Sequence, residues 1–177
     1  MKIPQKILSY LDKIGCRYKI LDHRKVYTAI DKARTLKIKD SLVGKTVVLK
    51  FDRDYAIALM PSDKIVDIQK LKKILNLQRK KEDKKAVKKV DFAGEKWIKL
   101  NLKGAKMGAV PPFGDLWKIS TIADAGFLKN KKIILNSGSH YNSFELIPSG
   151  FKKLIPGLIV GSFAKKRPAK KKKKIKK

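Results

Sequence analysis

Two apolar runs separated by a short charged turn constrain the fold more than any other feature of this sequence. GKTVVLKF is rich in β-branched residues, and YAIALM follows it after Asp52 and Arg53, with Asp54 completing the turn. This pattern predicts a β-hairpin, because β-branched and aromatic residues favour strands and short polar segments favour turns. Lys45 then lies at the start of the first strand.

Helical spacing marks three other segments. Apolar residues between positions 3 and 14 recur on one helical face after a proline, and Gly15 supplies a stop signal. Thr28 and Asp31 form a capping-box pattern that predicts a second helix. Asp67 precedes a third apolar stripe and is a good N-cap residue.

The second half of the chain reads mainly as strands and loops. WIKL, around Trp97, predicts a strand, and KISTIAD, KKIILNSGS and SFELIP predict three more. The segment GAKMGAVPPFG, from Gly104 to Gly114, holds three glycines and two adjacent prolines, so it predicts a shaped loop. Strands with interspersed helices predict a single mixed α/β domain.

The charge of the chain predicts an anionic partner. The sequence has 45 Lys and Arg against 15 Asp and Glu, a formal net charge of +30, and a field of this size attracts polyanions such as nucleic acid. Residues 165–177 contain ten basic side chains and no acid, so we expect a disordered tail after a folded domain at residues 1–164. This tail can hold nucleic acid, or it can be a nonspecific solubilising extension or a ribosome-proximal anchor.

Several classes of protein are not expected. The sequence has no run of about 18 apolar residues and no continuous apolar signal-peptide core, so we expect no membrane attachment and no secretion. Cys16 is the single cysteine, which excludes an intramolecular disulfide and agrees with the cytoplasm. His23 and His140 have no recognised metal-ligand spacing with it, so we expect no metal and no cofactor. The Gly-x-Ser-x-Gly pattern of serine hydrolases is also absent.

Five segments occur in an order that resembles a known family: YTAIDKA, VGKTVVLK, MPSDKIVD, GAVPPFG and IILNSGSHYNSFEL. They resemble the YbaK and prolyl-tRNA editing-domain family of aminoacyl-tRNA deacylases, over roughly residues 20–160. The resemblance implies a mixed, barrel-like β-sheet surrounded by helices. It also implies metal-independent hydrolysis of the ester between a misattached amino acid and tRNA, with alanine or cysteine on tRNA for proline among the targets and a synthetase as a possible partner.

The resemblance also implies catalytic residues. Lys45 lies at the place of the family's signature lysine, which contacts the substrate near the ester; a surface lysine is the alternative. Gly108 and Pro112 match the family's Gly-x-x-x-Pro loop, which shapes the amino-acid pocket and turns backbone N–H groups toward the carbonyl. A tight loop with special dihedral angles is the alternative for this segment.

Four further residues are candidates for substrate binding. The resemblance places His140 facing the pocket, with Gly138 shaping the turn beside it. His23 and Thr28 can line the same pocket, although a structural histidine and a helix cap explain them equally well. For RNA binding, the candidates are the consecutive tail lysines Lys170, Lys171, Lys172, Lys173 and Lys174.

Three functions remain open from the sequence. The first is an enzyme that acts in trans on mischarged tRNA. The second is a non-catalytic RNA-binding module that uses the same fold and its basic tail. The third is hydrolysis of a small thioester or aminoacyl ester, with no dependence on RNA.

Overall fold

A computed structural model describes residues 2–168 of the chain. Its α-helices are α1 (Gln5–Lys13), α2 (Ala29–Thr35), α3 (Ile68–Lys81), α4 (Glu95–Asn101) and α5 (Pro148–Leu154). Its strands are β1 (Lys19–Asp22), β2 (Gly44–Phe51), β3 (Asp54–Pro61), β4 (Lys64–Val66), β5 (Val90–Phe92), β6 (Ser120–Asp124), β7 (Ile133–Asn136), β8 (Asn142–Leu146), β9 (Ile159–Gly161) and β10 (Ala164–Lys166).

Within the described residues the strands form three sheets. The largest has the order β5-β2-β3-β6-β9, in which β3 is antiparallel to β2 and parallel to β6. The second has the order β1-β8-β7, and β4 pairs with β10 in a short ribbon. A parallel bridge between Val43 and Ile134 connects the two larger sheets. The mixed α/β class is confirmed, and the expected mixed sheet is divided among these three.

The predicted hairpin is confirmed as β2 and β3, which pair along their whole length from Gly44 opposite Pro61 to Phe51 opposite Asp54. Its turn places Asp52 at φ 55°, a left-handed conformation that aspartate tolerates better than most residues. The Asp52 carboxylate also accepts hydrogen bonds from backbone N–H groups of the chain that leads into β5. The turn is therefore held by its own side chain.

The helices cover the sheets through apolar faces. On α1, Ile7 and Leu11 are buried against the three-stranded sheet together with Phe144. On α3, Leu71 and Leu75 are buried against the five-stranded sheet. No helix within residues 2–168 combines the length and the apolar character needed to cross a bilayer.

The predicted helix caps are confirmed. The Thr28 hydroxyl accepts a hydrogen bond from the Asp31 N–H at 3.1 Å at the start of α2. The Asp67 carboxylate accepts one from the Lys70 N–H at 3.2 Å at the start of α3. Both side chains satisfy a donor that the helix itself leaves unpaired.

The strand predicted around Trp97 is wrong, because this segment is helix α4. Trp97, Ile98 and Leu102 pack in one apolar cluster, whereas Leu100 is 60% exposed. Strand alternation would bury Ile98, Leu100 and Leu102 together. Stacking of Trp97 on Tyr55, with ring centroids 3.5 Å apart, fixes α4 against the hairpin.

The folded part of the chain extends beyond the predicted boundary at residue 164. Lys165 and Lys166 lie in β10, opposite Ile65 and Lys64 of β4, and Lys165 forms an ion pair with Asp67. The predicted start of the tail at residue 165 is therefore too early, because main-chain pairing with β4 holds Lys165 and Lys166 in a strand despite their charge. The tail lysines at 170–174 lie outside the described residues.

Candidate active site

A cavity of about 340 Å³ lies where the start of β2, the N-terminus of α2 and the loop at Gly108 meet. Three residues predicted for the site, Thr28, Lys45 and Gly108, line this cavity. The other lining residues are Tyr27, Ala29, Ile30, Thr46, Ser62, Asn136 and Arg167. Sequence segments up to 140 residues apart therefore converge here.

The strand pairing explains this convergence. Lys45 lies opposite Met60, near the end of β3, where the chain turns toward β4. Pairing of β4 with β10 brings Arg167 to the same edge. The bridge that joins the two larger sheets brings the last residue of β7, Asn136, to the opposite side of the cavity.

Lys45 is half-buried, and its ammonium group donates a hydrogen bond to the Lys64 carbonyl. Burial lowers the pKa of Lys45, and the positive charge of Arg167 lowers it further, whereas Asp63 opposes both effects. The strand and this hydrogen bond hold a cation at the cavity, so a negatively charged group that enters meets a positioned charge.

Gly108 is held in a conformation that suits glycine, with φ +77°. A Cβ atom at this position would lie 3.1 Å from the Tyr27 carbonyl oxygen. Within residues 2–168, the Gly108 N–H donates to no other group of the protein. The loop therefore brings bare backbone close to the cavity.

Two residues that the sequence analysis missed, Asn136 and Lys32, support this loop through hydrogen bonds. The Asn136 side chain donates to the Val110 carbonyl at 3.1 Å and accepts a hydrogen bond from the Lys32 ammonium group. Lys32 is buried, and burial lowers its pKa to about 7. Its position on the apolar stripe of α2, three residues after Ala29 and four before Leu36, is the signal that predicts burial.

Thr46 is a third residue that the sequence analysis missed. Its hydroxyl is buried and has no hydrogen-bond partner among the described residues. An adjoining depression of about 210 Å³ shares Thr46 and Gly108 with the main cavity. Apolar side chains, including Val48, Ile98 and Val110, dominate its lining. The cavity that Lys45 and Arg167 line and this apolar depression thus meet at Thr46 and Gly108.

His140 lies beside the site without lining the cavity. One ring nitrogen is 3.1 Å from the Val26 carbonyl oxygen, and the ring packs on Tyr27 with centroids 4.9 Å apart. A Cβ on Gly108 would lie 3.7 Å from the imidazole. His140 therefore packs against Tyr27 and the Gly108 loop.

The remaining predicted residues have structural contacts and do not line the cavity. The His23 ring bonds to the Ser143 hydroxyl at 3.0 Å and holds the end of β1 to β8. Gly138 has φ +86°, and a Cβ there would lie 2.5 Å from the Ile7 side chain of α1. Pro112 is buried in the loop beyond Gly108.

Another cavity, of about 360 Å³, lies at the opposite end of the hairpin beside the Asp54–Arg79 ion pair. None of the residues predicted for the site lines it. In the part of the chain that the structure describes, no group of three or more His, Cys, Asp or Glu side chains is arranged to hold a metal ion.

Comparisons with known proteins agree with this geometry. The family model of the aminoacyl-tRNA editing domain matches residues 23–154. A solved hypothetical protein has a TM-score of 0.74 at 19% identity, covering 90% of this chain and 99% of that one. A candidate trans-editing enzyme for prolyl tRNA synthetase has a TM-score of 0.73 at 16% identity, covering 95% and 99%. These likenesses confirm the predicted fold. A search of curated proteins finds no match.

Proposed function

The chain belongs to the aminoacyl-tRNA editing domain family, and we propose that it is a trans-editing hydrolase that removes a wrongly attached amino acid from tRNA. The observation that carries this proposal is the convergence of Lys45, Thr46 and Gly108 at one cavity. A positioned cation, an unpaired hydroxyl and an unpaired backbone N–H are the groups that hold an ester and stabilise its attack by water.

The proposed reaction is addition of water to the ester carbonyl, followed by departure of the ribose oxygen with a proton. The carbonyl oxygen becomes negative as water adds, and the donor that we assign to it is the Gly108 N–H, which has no acceptor within residues 2–168. One preorganised donor of this kind lowers the barrier by about 2.7–4 kcal/mol. Lys45 positions the substrate, and the vicinal ribose hydroxyl assists the attacking water. This scheme needs no metal and no cofactor.

The apolar depression beside Thr46 is the proposed site for the amino-acid side chain. Its volume of about 210 Å³ and its apolar lining suit a small side chain, so we propose alanine or cysteine as the residue removed. The likeness to a candidate trans-editing enzyme for prolyl tRNA synthetase supports tRNA for proline as the carrier and that synthetase as a partner. Such a substrate also favours the cytoplasm as the place of action.

The basic tail is the proposed means of holding the RNA. Arg167 lines the cavity, and five consecutive lysines begin only three residues later. In the sequence, only Pro168 and Ala169 separate this lysine run from a residue that lines the cavity. We propose that these lysines contact phosphates of the tRNA whose 3′ end occupies the cavity, which adds affinity without sequence preference.

Deacylation of a panel of charged tRNAs tests this function. Alanyl, cysteinyl, seryl and prolyl groups on tRNA for proline are compared with an aminoacyl ester that lacks RNA. We expect hydrolysis of the alanyl or cysteinyl tRNA, with the prolyl tRNA and the RNA-free ester spared. Salt-dependent tRNA binding without hydrolysis of any member would instead identify an RNA-binding module, and equal hydrolysis of the RNA-free ester would identify a general esterase.

A further inference from the structure

Arg167 is an unexpected neighbour of Lys45. It follows β10 directly, and its guanidinium donates to the Ser62 carbonyl at 3.4 Å while lining the cavity. The register of the ribbon, with Lys166 opposite Lys64, fixes this position. Arg167, near the C-terminal end of the described residues, thus lines the same cavity as Lys45.

The two cations line the same cavity, and the Asp63 carboxylate partly offsets the effect of Arg167 on the pKa of Lys45. Within residues 2–168, neither Lys45 nor Arg167 makes an ion pair, whereas the neighbouring Lys165 pairs with Asp67 at 3.6 Å. The positive charge of Arg167 is also one cause of the lowered pKa of Lys45. Two like charges at one cavity repel each other, and a bound anion removes that repulsion.

We propose that Arg167 and Lys45 together bind a phosphate of the RNA 3′ end, which makes Arg167 a substrate-positioning residue contributed by the C-terminal strand. This inference rests on the proposed function. The phosphate nearest to the aminoacyl ester joins the terminal adenosine to the preceding cytidine. A guanidinium offers two parallel N–H donors to such a phosphate, and Lys45 adds a point charge. The ester is then held at a fixed distance from the Gly108 loop.

Binding of short RNA, which requires no hydrolysis, tests this inference. The trinucleotide CpCpA and the nucleoside adenosine are titrated into wild type, Arg167→Gln and Lys166→Gln. Lys166→Gln is the matched control, because it removes the same charge from the adjacent, exposed residue of the strand. Thermal unfolding of each variant checks that the fold is kept.

We expect Arg167→Gln to weaken CpCpA binding about tenfold, because loss of one hydrogen bond between charged groups lowers affinity by about that factor. Lys166→Gln should change it less than about twofold, and adenosine binding should be unchanged in both. The slope of log affinity against log salt should fall in magnitude by about 0.7 in Arg167→Gln, as for one lost phosphate contact to a single strand. Arg167→Lys should recover part of the affinity and all of the slope.

Two results would overturn the inference. Equal CpCpA affinity in Arg167→Gln and Lys166→Gln would show that Arg167 does not bind phosphate. An equal loss for adenosine and CpCpA would show that Arg167 only supports the cavity wall. A protein that binds CpCpA through Arg167 but hydrolyses no charged tRNA would instead refute the proposed function and leave this inference standing.

Discussion

Lys32 makes the stability of this protein depend on pH in a way that one substitution removes. Its ammonium group is buried on α2 and donates a hydrogen bond to a neutral group, the Asn136 amide oxygen. Burial lowers the pKa of Lys32 from 10.5 to about 7. Lys32→Met keeps an unbranched side chain, one heavy atom shorter than lysine, and removes the titrating group.

The sign of the effect follows from where the proton is bound. Between about pH 7 and 10.5 the unfolded chain keeps a proton on Lys32 and the folded chain does not, so the free energy of unfolding rises with pH. The slope is about 1.4 kcal/mol per pH unit, or about 2.7 kcal/mol over two units. Below about pH 7 Lys32 is protonated in both states and contributes no slope. Burial above all lowers the pKa of His23, which is therefore neutral across this window.

Urea denaturation of wild type, Lys32→Met and the exposed-lysine control Lys73→Met, at about pH 7.5 and 9.5, measures this difference. The stability of wild type relative to Lys32→Met should rise by about 2.7 kcal/mol between the two pH values. Lys73→Met should follow wild type, because Lys73 is exposed on α3. Parallel pH profiles for wild type and Lys32→Met would refute a lowered pKa for Lys32.

Three further substitutions test single positions. Gly108→Ala should lower kcat about 10²-fold, because displacing the loop misplaces the ester. The control Gly157→Ala should leave the deacylation rate unchanged, because nothing lies within 4 Å of its added Cβ. Equal rates in the two variants would contradict a role for Gly108 in deacylation. Thr28→Ala should reduce the free energy of unfolding by about 1 kcal/mol through loss of the cap, and an unchanged urea midpoint would contradict that role. Gly138→Ala should destabilise by about 1–3 kcal/mol, since its Cβ would meet Ile7 at 2.5 Å; a melting temperature equal to that of wild type would contradict this packing.

Local patterns predicted most of the elements that lie near the site. The hairpin follows from β-branched runs around a short turn, and the caps at Thr28 and Asp67 follow from side chains that accept helix N–H groups. The resemblance to a family named Lys45 and Gly108 as candidate catalytic residues, and the structure places both on the lining of one cavity. Spacing along the chain alone gives no such prediction, because it does not fix strand order.

The elements that sequence reasoning missed depend on tertiary contacts. Trp97 of helix α4 stacks on Tyr55 of strand β3, and a window of local sequence does not contain that partner. Arg167 lies in a lysine-rich run whose composition predicts a solvent-exposed segment. Its place at the cavity depends on the pairing of β10 with β4, which the local sequence does not reveal. Lys32 is one basic residue among 45, and only its place on the apolar stripe of α2 distinguishes it.

A catalytic site at Lys45 is tested by the single-turnover rate of deacylation of alanyl-tRNA for proline by wild type, Lys45→Ala and Lys50→Ala. Lys50 is an exposed lysine on the same strand and serves as the control for charge. We expect a fall of about 10²-fold in Lys45→Ala, because the ester is no longer held in position, and a rate within about twofold of wild type in Lys50→Ala. Equal rates in all three proteins would contradict a catalytic site at Lys45.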